Sequence, residues 1–271
     1  MSESDRFADR YGPWALVTGA SSGIGAALAR ALAARGLNLV ITARRTSLLD
    51  ALADELRRER RIAVDVVGVD LARPDFLAPL LAACADRDIG LVVSNAGFGL
   101  KGEHHRLPAE QLTAMLMVNC HAPMLLAHAF APRLVARGRG GLLFTGSIEG
   151  FLGFPWSSAY AASKAFVRVL GEGLWGELEG RGVDVMVVSP GATDTDAPAQ
   201  QGIDPRKIPG RMMPPAEVAA QALARLGRRP VFVPGWLNRL MVRILTAMPR
   251  RLALRMAGKG IRATLASAPD S

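Results

Sequence analysis

A tyrosine and a lysine stand four residues apart in the stretch AYAASK, at Tyr160 and Lys164. Four residues make about one turn of an α-helix, so a helix would place both side chains on one face. An isolated phenol has a pKa of about 10 and is a reluctant base at neutral pH, but a neighbouring lysine cation favours the phenolate. The spacing predicts an acid/base pair, with two residues on an exposed helix face as the alternative.

A glycine-rich turn, TGASSGIG, lies between the first apolar run of the chain and a helix-length segment. Its glycines would let the backbone approach a pyrophosphate, and the helix N-terminus adds N–H groups and the positive end of the helix dipole. The spacing Gly-x3-Gly-x-Gly is not the GxGxxG fingerprint, but a position at the first strand–helix junction favours a dinucleotide site over a plain turn. The residues predicted to line it are Gly19, Ser21, Ser22, Gly23, Ile24 and Gly25.

Two arginines, Arg44 and Arg45, follow the second apolar run, where no acidic residue occurs. A site that prefers NAD would place Asp or Glu there to bind the ribose hydroxyl, whereas guanidinium groups suit a 2′-phosphate. The pair therefore predicts NADP(H) as the cofactor, with two solvated arginines at a helix start as the alternative. Asp70, followed by Leu71 after the third apolar run, would either bind the adenine amino group or cap the next helix.

The elements that must position these residues form an alternating pattern. Seven apolar, β-branched runs alternate with helix-length segments rich in Ala, Leu and Arg, and they predict strands at 14–19, 38–42, 63–70, 90–97, 141–147, 183–191 and 230–234. Such alternation predicts an α/β fold with one Rossmann-like, doubly wound parallel sheet and helices on both faces. The polar candidates then fall at the carboxyl ends of strands or on adjoining helices, where open sheets of this kind bind ligands.

We expect a single domain over residues 1–271, because no low-complexity linker divides the chain. Residues 1–12 would form an N-terminal arm, and residues 236–271 an amphipathic helical extension. In that extension Leu237, Leu240, Met241, Ile244 and Leu245 recur at helical spacing, and Pro249 should interrupt the helix. We expect this stripe to border the substrate entrance. It could instead form a subunit contact in a homodimer or homotetramer, or a peripheral contact with an anionic membrane.

Together these motifs resemble the short-chain dehydrogenase/reductase family over about residues 13–195. Six motifs in the family's order carry the resemblance: TGASSGIG, SNAG at 94–97, Asn119 in MVNCHAP, Ser147 in TGSIEG, YAASK at 160–164 and PGATDT at 190–195. Ser147 precedes Tyr160 by 13 residues, which is the family's usual spacing. Ser94 departs from the family's NNAG pattern, and its shorter side chain would weaken one structural hydrogen bond.

The resemblance implies a carbonyl reductase or alcohol dehydrogenase with Asn119, Ser147, Tyr160 and Lys164 as its catalytic set. Tyr160 would donate its proton to a carbonyl oxygen as a hydride arrives, and Ser147 would stabilise the developing charge. The family also implies that Lys164 binds the nicotinamide ribose and that Asn119 holds a water of the proton relay. It adds to the cofactor site Asn95, Ala96, Gly97, Tyr160, Lys164, Pro190, Gly191, Thr193 and Thr195.

The substrate side is predicted to be at least partly apolar. Its expected residues are Ser147, Glu149, Phe98, Phe154 and Trp156, and the segment 200–213 is a candidate mobile lid. Glu149 has two readings, a contact to a substrate hydroxyl or amine and an ion pair with a surface arginine.

The net charge and the residue composition limit which kinds of partner and compartment fit this chain. The net charge of +9 favours anionic partners or reflects an arginine-rich proteome, and 6% aromatic residues with no interleaved basic block argue against nucleic acid. The two cysteines form no CxxC and the four histidines have no metal-ligand spacing, so we expect buried thiols in a reducing compartment and no metal. The polar, acidic start is unlike a signal peptide and no run of 18 apolar residues occurs, which predicts a cytoplasmic protein.

We therefore expect an NADP(H)-dependent oxidoreductase that acts on a small-molecule ketone, aldehyde or alcohol, with a bulky apolar or acyl-type substrate favoured. Two alternatives remain open. One is a dehydrogenase of a small polar hydroxy compound that contacts Glu149, and the other is a cofactor-sensing binding protein without turnover.

Overall fold

The computed structural model describes residues 3–208 and 210–265, and within these ranges seven parallel strands form one sheet. The strands are β1 (Trp14–Thr18), β2 (Asn38–Ala43), β3 (Val64–Gly68), β4 (Ile89–Ser94), β5 (Gly140–Thr145), β6 (Val183–Val188) and β7 (Val231–Phe232). Their order across the sheet is β3-β2-β1-β4-β5-β6-β7. The predicted α/β class is confirmed, and β4 and β5 are buried along their whole length, as expected of strands covered on both faces.

Helices cover both faces of the sheet. They are α1 (Glu3–Tyr11), α2 (Gly23–Ala33), α3 (Thr46–Arg60), α4 (Leu77–Ala83), α5 (Ala109–Leu116), α6 (Ala122–Arg137), α7 (Ser158–Leu178), α8 (Ala197–Gln200), α9 (Pro215–Leu223), α10 (Trp236–Ala247) and α11 (Arg250–Thr264). One hydrophobic cluster joins the sheet to α2, α3 and α9, and a second joins it to α4, α6 and α7. Alternate side chains of each central strand enter opposite clusters, which is why the strand sequences are apolar without interruption.

Several predicted strands extend past the real ones. β3 ends at Gly68, β4 at Ser94 and β6 at Val188, and β7 is only Val231–Phe232. The residues beyond these ends leave the ladder and turn into loops; Asn95, for example, bonds back to Val93 through its backbone N–H. The carboxyl ends of β1, β4, β5 and β6 lie side by side, since Val17 pairs with Val93 and Thr145 with Val188.

Both chain ends pack onto this framework. The predicted N-terminal arm is α1, and Phe7 and Tyr11 join the first cluster while the Tyr11 hydroxyl donates to Asp184 at 2.6 Å. Pro249 separates α10 from α11, as predicted. Parts of three predicted segments lie outside the described residues: 1–2 of the arm, 209 of the lid and 266–271 of the extension.

A third hydrophobic cluster attaches the extension to the body. Leu152 and Phe154 are buried there against Ala253 and Ala257 of α11 and Ala161 of α7. Burial of one Leu or Phe side chain contributes about 1.5–3 kcal/mol, so this contact holds α11 in place.

One helical run has the length and composition of a membrane span, although the sequence showed no unbroken apolar stretch of that length. It is Ala109–Arg137, in which α5 and α6 are joined by a π-helical turn at Met117–His121. About half of its most apolar window, 44%, is buried inside the protein. Its apolar face packs on β4 and β5, which is the ordinary position of a core helix in this fold.

Candidate active site

The glycine-rich turn between β1 and α2 has a backbone shape that lets a ligand come close to its main-chain atoms. Gly19 has φ +68°, a region that favours glycine, and a Cβ on Gly25 would lie 2.1 Å from the carbonyl oxygen of Gly19. The first turn of α2 starts at Gly23 and directs N–H groups that have no partner within the helix toward this turn. These features fit a pyrophosphate group, because backbone donors and the helix dipole favour an anion there.

A cleft of about 800 Å³ opens beside this turn. Its walls come from Ala20–Gly23, from one side of α2 and α3, and from the segments 194–196 and 214–216. Tyr160 and Lys164 are not among its lining residues, so this cleft is a groove next to the glycine-rich turn and separate from the acid/base pair.

Of the two predicted arginines, Arg45 is the one that meets the glycine-rich turn. Its Nη2 donates to Ser21 Oγ at 3.1 Å and to Ser22 Oγ at 2.7 Å. Arg44 is exposed on the same loop. The cation and two hydroxyls form an exposed polar group of the kind that binds a phosphate. Asp70 closes a local turn, since its Oδ1 accepts the N–H of Ala72 at 3.0 Å, and it caps no helix.

Asn95 joins three strand ends. Its backbone N–H donates to Thr18 Oγ1 at 3.0 Å, its Nδ2 donates to the carbonyl oxygen of Thr18 at 3.1 Å, and its Oδ1 accepts from Thr145 Oγ1 at 3.1 Å. Ser94, the departure from the family pattern, is the buried last residue of β4 and pairs with Phe144 through the ladder. The loop 95–97 is therefore fixed between β1 and β5 through Asn95.

Asn119 is fully buried in the π-helical turn between α5 and α6. π-Helical turns inserted into α-helices often occur at functional sites. The side chain of Asn119 binds both backbone groups of Phe98: Oδ1 accepts its N–H at 3.1 Å, and Nδ2 donates to its carbonyl at 2.8 Å. Nδ2 also donates to Ser163 Oγ at 3.0 Å, so Asn119 ties the loop after β4 to α7.

Tyr160 and Lys164 lie on one face of α7, as their spacing predicts; the lysine is buried and the tyrosine is half-buried. Lys164 Nζ lies 5.8 Å from the centre of the Tyr160 ring and donates to the carbonyl oxygen of Thr145 at 2.9 Å. Burial lowers the pKa of Lys164 to about 8. The two residues are not on an exposed helix face.

Ser147 stands at the end of β5, next to Tyr160. Its Oγ accepts the N–H of Glu149 at 3.2 Å. Burial, and next the carboxylate of Glu149, raise the pKa of Tyr160, while a hydrogen bond with Ser147 opposes them. The raised pKa favours the protonated phenol, which is the form that a proton donor needs.

Lys101 is a member of this site that the sequence reasoning missed. Its side chain is fully buried, and its Nζ donates to both carboxylate oxygens of Glu149 at 2.7 and 2.6 Å and to Ser157 Oγ at 2.6 Å. The same Nζ lies 4.6 Å from the centre of the Tyr160 ring. Of the two predicted readings of Glu149, the ion pair is present, but its partner is this buried lysine and not a surface arginine. Only a lone lysine in the loop GFGLKGE signalled it.

The loop after β6 meets the glycine-rich turn. Pro190 accepts the N–H of Ile148 at 3.0 Å, and Thr193 Oγ1 donates to the carbonyl oxygen of Gly191 at 3.1 Å. A Cβ on Gly23 would lie 3.0 Å from the methyl group of Thr195. The predicted nicotinamide loop and the predicted phosphate turn thus border one continuous site.

The predicted aromatic pocket residues do not all face one cavity. Phe98 is half-buried in the loop that Asn119 holds, while Phe154 is buried in the third hydrophobic cluster. Trp156 has φ +61° and lies against Arg262 of α11, with the guanidinium 5.6 Å from its ring. Phe154 is covered because α11 packs over the segment 152–157, which the sequence pattern did not reveal.

The extension packs beside the loops that follow β5 and β6. Asn238 of α10 approaches Gly191 so closely that a Cβ there would lie 2.6 Å from its Oδ1. Met241, Val242, Leu245 and Thr246 of α10 face Ile148–Phe154 across a narrow cleft. A Cβ on Gly99, beside Tyr160, would also meet Gln201 at 2.8 Å.

The segment 200–208 is joined to the end of α11. Ile203 and Leu265 form an antiparallel bridge, the N–H of Asp204 donates to the carbonyl of Thr264 at 3.0 Å, and Lys207 Nζ donates to the carbonyl of Leu265 at 3.2 Å. The candidate lid and the extension are therefore directly connected. Within the described ranges, no group of three or more His, Cys, Asp or Glu side chains is placed to hold a metal ion.

Several known proteins are similar to this chain in sequence and fold. The sequence model of the short chain dehydrogenases matches residues 13–205. A 7β-hydroxysteroid dehydrogenase of Clostridium sardiniense is 30% identical over 253 residues, which are 93% of this chain and 97% of that protein.

Two solved structures add to the comparison. A short-chain dehydrogenase from Sphingobium yanoikuyae in complex with NADPH is 36% identical, with a TM-score of 0.78 and coverage of 88% of this chain and 97% of that one. The bulky-bulky ketone specific alcohol dehydrogenase from Comamonas testosteroni is 32% identical, with a TM-score of 0.74 and coverage of 89% and 96%. Each of these likenesses extends beyond residue 205, into the part of the chain that carries the extension.

Proposed function

This chain belongs to the short-chain dehydrogenase/reductase family and is an oxidoreductase, and we propose that it interconverts a bulky ketone and its alcohol with NADP(H). The observation that carries the proposal is the group at the carboxyl ends of β4 and β5 in which a half-buried Tyr160 is surrounded by the buried side chains of Lys164, Ser147 and Asn119. A bound nicotinamide cofactor supplies or accepts the hydride.

Tyr160 is the proposed proton donor in reduction. Its phenol keeps its proton in the buried site, and the hydroxyl of Ser147 is near enough to share a substrate oxygen with it. Ser147 stabilises the negative charge that develops on that oxygen, and Lys164 adds a cation 5.8 Å from the phenol ring. In oxidation the same phenol, once deprotonated, takes the proton of the alcohol.

The preference for NADP(H) over NAD(H) rests on Arg45. Its guanidinium sits on Ser21 and Ser22 at the glycine-rich turn, and no carboxylate occupies the end of β2. A cation with two hydroxyl groups suits a 2′-phosphate, whereas an acid there would suit a free ribose hydroxyl. The NADPH complex of the Sphingobium relative supports this choice.

A bulky apolar substrate is favoured by the apolar wall of α10. Met241, Val242 and Leu245 face the segment that follows Ser147 across a cleft of only about 10 Å³, so they offer apolar surface near the site and no preformed pocket for the substrate. The similar proteins include a steroid dehydrogenase and a dehydrogenase specific for bulky ketones, which supports a bulky apolar substrate. The polar alternative loses support because the carboxylate of Glu149 is already engaged by Lys101.

We place the protein in the cytoplasm as a homodimer or homotetramer. Two unpaired thiols, Cys84 and Cys120, suit a reducing compartment. Exposed apolar side chains on α5–α7 supply surface for subunit contacts: Leu116, Met124, Phe166 and Val169. The outer face of the extension, which exposes Trp236, Leu237, Leu240 and Ile244, is the proposed site of a peripheral membrane contact.

A panel of ketones with NADPH or NADH, followed by the loss of reduced-cofactor absorbance, tests the proposal. We expect turnover of bulky ketones with NADPH, weaker turnover with NADH and little with small polar ketones. Turnover of none of the ketones or of their alcohols, with tight NADPH binding retained, would favour the cofactor-sensing alternative.

A further inference from the structure

Lys101 and Glu149 form a buried ion pair that the reaction outlined above does not use. They come from different elements, the loop after β4 and the turn after β5, and Ser157 completes the group by accepting from Lys101 and donating to Glu149. A backbone hydrogen bond of 2.8 Å from Gly102 to Trp156 holds the same two segments together. A buried pair with this many hydrogen bonds is satisfied, but loss of one member leaves an uncompensated charge.

The pair borders the phenol of Tyr160. Lys101 Nζ is closer to the centre of the phenol ring than Lys164 Nζ is, at 4.6 against 5.8 Å. The charged groups that face the phenol are Lys101, Glu149 and Lys164; Cys120 lies next to Lys164, and burial raises the pKa of its thiol, which keeps it uncharged.

The two members act on the phenol in opposite directions. A carboxylate near a phenol favours the protonated form, whereas an ammonium group favours the phenolate. Because each interaction occurs in a site with little water, it is stronger than the same contact on the surface. The two effects oppose each other while both charges are present, and in the protein the carboxylate of Glu149 still raises the pKa of Tyr160.

We propose that Lys101 and Glu149 are a positioning pair that sets how strongly the phenol of Tyr160 holds its proton. Glu149 keeps the proton on the phenol oxygen, and Lys101 limits that effect so that the proton can still pass to the substrate oxygen. In the reverse direction, Lys101 makes the phenolate accessible to accept the proton of the alcohol. This inference rests on the proposed role of Tyr160.

A direct titration of the phenol tests the pair without any need for turnover. The chain contains only two tyrosines, Tyr11 and Tyr160. Biosynthetic replacement by 3,5-difluorotyrosine, which lowers the phenol pKa into an accessible range, gives two ¹⁹F resonances, and Tyr160→Phe identifies one of them. The apparent pKa of Tyr160 is read from its chemical shift against pH in the presence of NADP⁺.

Lys101→Met should raise this pKa by about one unit or more, because Glu149 then acts unopposed. Adding Glu149→Gln to that variant should return the pKa to the wild-type value or below, and Lys101→Arg, which keeps the cation, should stay close to wild type. Damage to the fold alone would not be reversed by a second substitution. The idea is refuted if Lys101→Met leaves the pKa unchanged, or if the double variant stays as far from wild type as the single one.

The pH profile of alcohol oxidation gives a second readout. The limb on which kcat/KM rises with pH should move up in Lys101→Met and back in the double variant. Absence of oxidation by the wild-type protein would count against the proposed function, while the ¹⁹F titration would still decide the role of the pair.

Discussion

At the scale of a single side chain, Lys164 lowers the stability of the folded protein because its charge is buried. Its ammonium group is buried, and burial lowers its pKa from 10.5 to about 8. Below pH 8 the folded protein must keep a charge away from water, and between about pH 8 and 10.5 only the unfolded chain still binds that proton. Stability from this group therefore rises with pH through that window.

Lys164→Met should for this reason be more stable than wild type below pH 8, by about 1–3 kcal/mol, even though it is inactive. The advantage should shrink as the pH approaches 10, because the wild-type lysine is then neutral in the folded state. Urea unfolding at several pH values measures this, with the exposed Lys259→Met as the control. A constant difference across the pH range would contradict the explanation.

Tyr160→Phe removes the phenol oxygen and keeps the ring. We expect turnover to fall by a factor of about 100 or more, since the proton donor is lost, while NADPH affinity changes little. Steady-state kinetics and fluorescence titration with NADPH measure the two effects. Near-normal turnover would remove Tyr160 from the reaction.

Alanine substitutions of Arg45 and of Arg44 can be compared to test which arginine sets the preference for NADPH over NADH. Arg45 is held at the glycine-rich turn by Ser21 and Ser22, whereas Arg44 is exposed beside it. Arg45→Ala should weaken NADPH binding about ten- to a hundredfold and leave NADH binding nearly unchanged. Arg44→Ala should have the smaller effect, and equal losses for both cofactors in Arg45→Ala would show that the residue does not read the extra phosphate.

At this scale the sequence predicted the residues whose spacing is local. Tyr160 and Lys164 follow from one helical turn, and the glycine-rich turn follows from one strand–helix junction. Lys101 could not be found in this way, because its partners Glu149 and Ser157 are about fifty residues away and only the packing of two loops brings them together. Phe154 packs against a helix nearly a hundred residues later and also lines the narrow cleft opposite α10, so its place in the substrate pocket stays a prediction.

At the scale of elements, α10 is apolar on two sides. Val242 and Leu245 face the narrow cleft toward Ile148–Phe154, while Leu237, Leu240 and Ile244 are about half exposed or more. The sequence pattern identified one stripe and could not say which part of it would be covered, since that depends on where α11 attaches. The inner side belongs to the substrate entrance in our proposal, and the outer side has no cover within the described residues.

Val242→Trp and Leu240→Trp separate these two sides. The first substitution fills the cleft and should raise the KM for bulky ketones several-fold more than for small ones, because the added ring takes the space of the substrate. The second adds the same ring on the outer side and should leave both KM values nearly unchanged. Parallel changes in the two variants would mean that the cleft is not part of the substrate path.

At the scale of the whole molecule, the extension carries a charge pattern unlike the rest. Residues 236–265 contain seven Lys and Arg and no Asp or Glu. Trp236, Leu237, Leu240 and Ile244 on α10, and Leu252 and Met256 on α11, are exposed among them. A symmetric contact between two such faces would bring like charges together, whereas an anionic lipid surface would bind both the cations and the apolar side chains.

Vesicle co-sedimentation should show this preference. We expect binding to phosphatidylcholine vesicles that contain phosphatidylglycerol, weaker binding at high salt, and little binding to phosphatidylcholine alone. Leu240→Ser combined with Ile244→Ser should abolish the binding, and Leu116→Ser, an equally exposed site on α5, should not. If the Leu240/Ile244 variant instead changes a dimer into a monomer, the face is a subunit interface.

The fold as a whole was the most predictable level. Seven apolar runs with helices between them admit few arrangements other than a doubly wound sheet, and six motifs in one order identified the family, although several strands are shorter than predicted. The extension was predicted as a helix broken at Pro249, but its attachment to segment 200–208 was not. The acceptors of that contact are backbone carbonyl groups, which leave no pattern in the sequence.

The joint between segment 200–208 and the end of α11 has a consequence for recombination between family members. Three stretches far apart in the chain are joined through the extension: 148–157 packs against residues of 236–265, and 200–208 forms hydrogen bonds with the end of that segment. A chimera that takes only segment 200–208 from a relative would lose the hydrogen bonds between that segment and the end of α11. New specificities grafted onto this scaffold should therefore be exchanged as the complete three-part unit, with the sheet and its catalytic helix left in place.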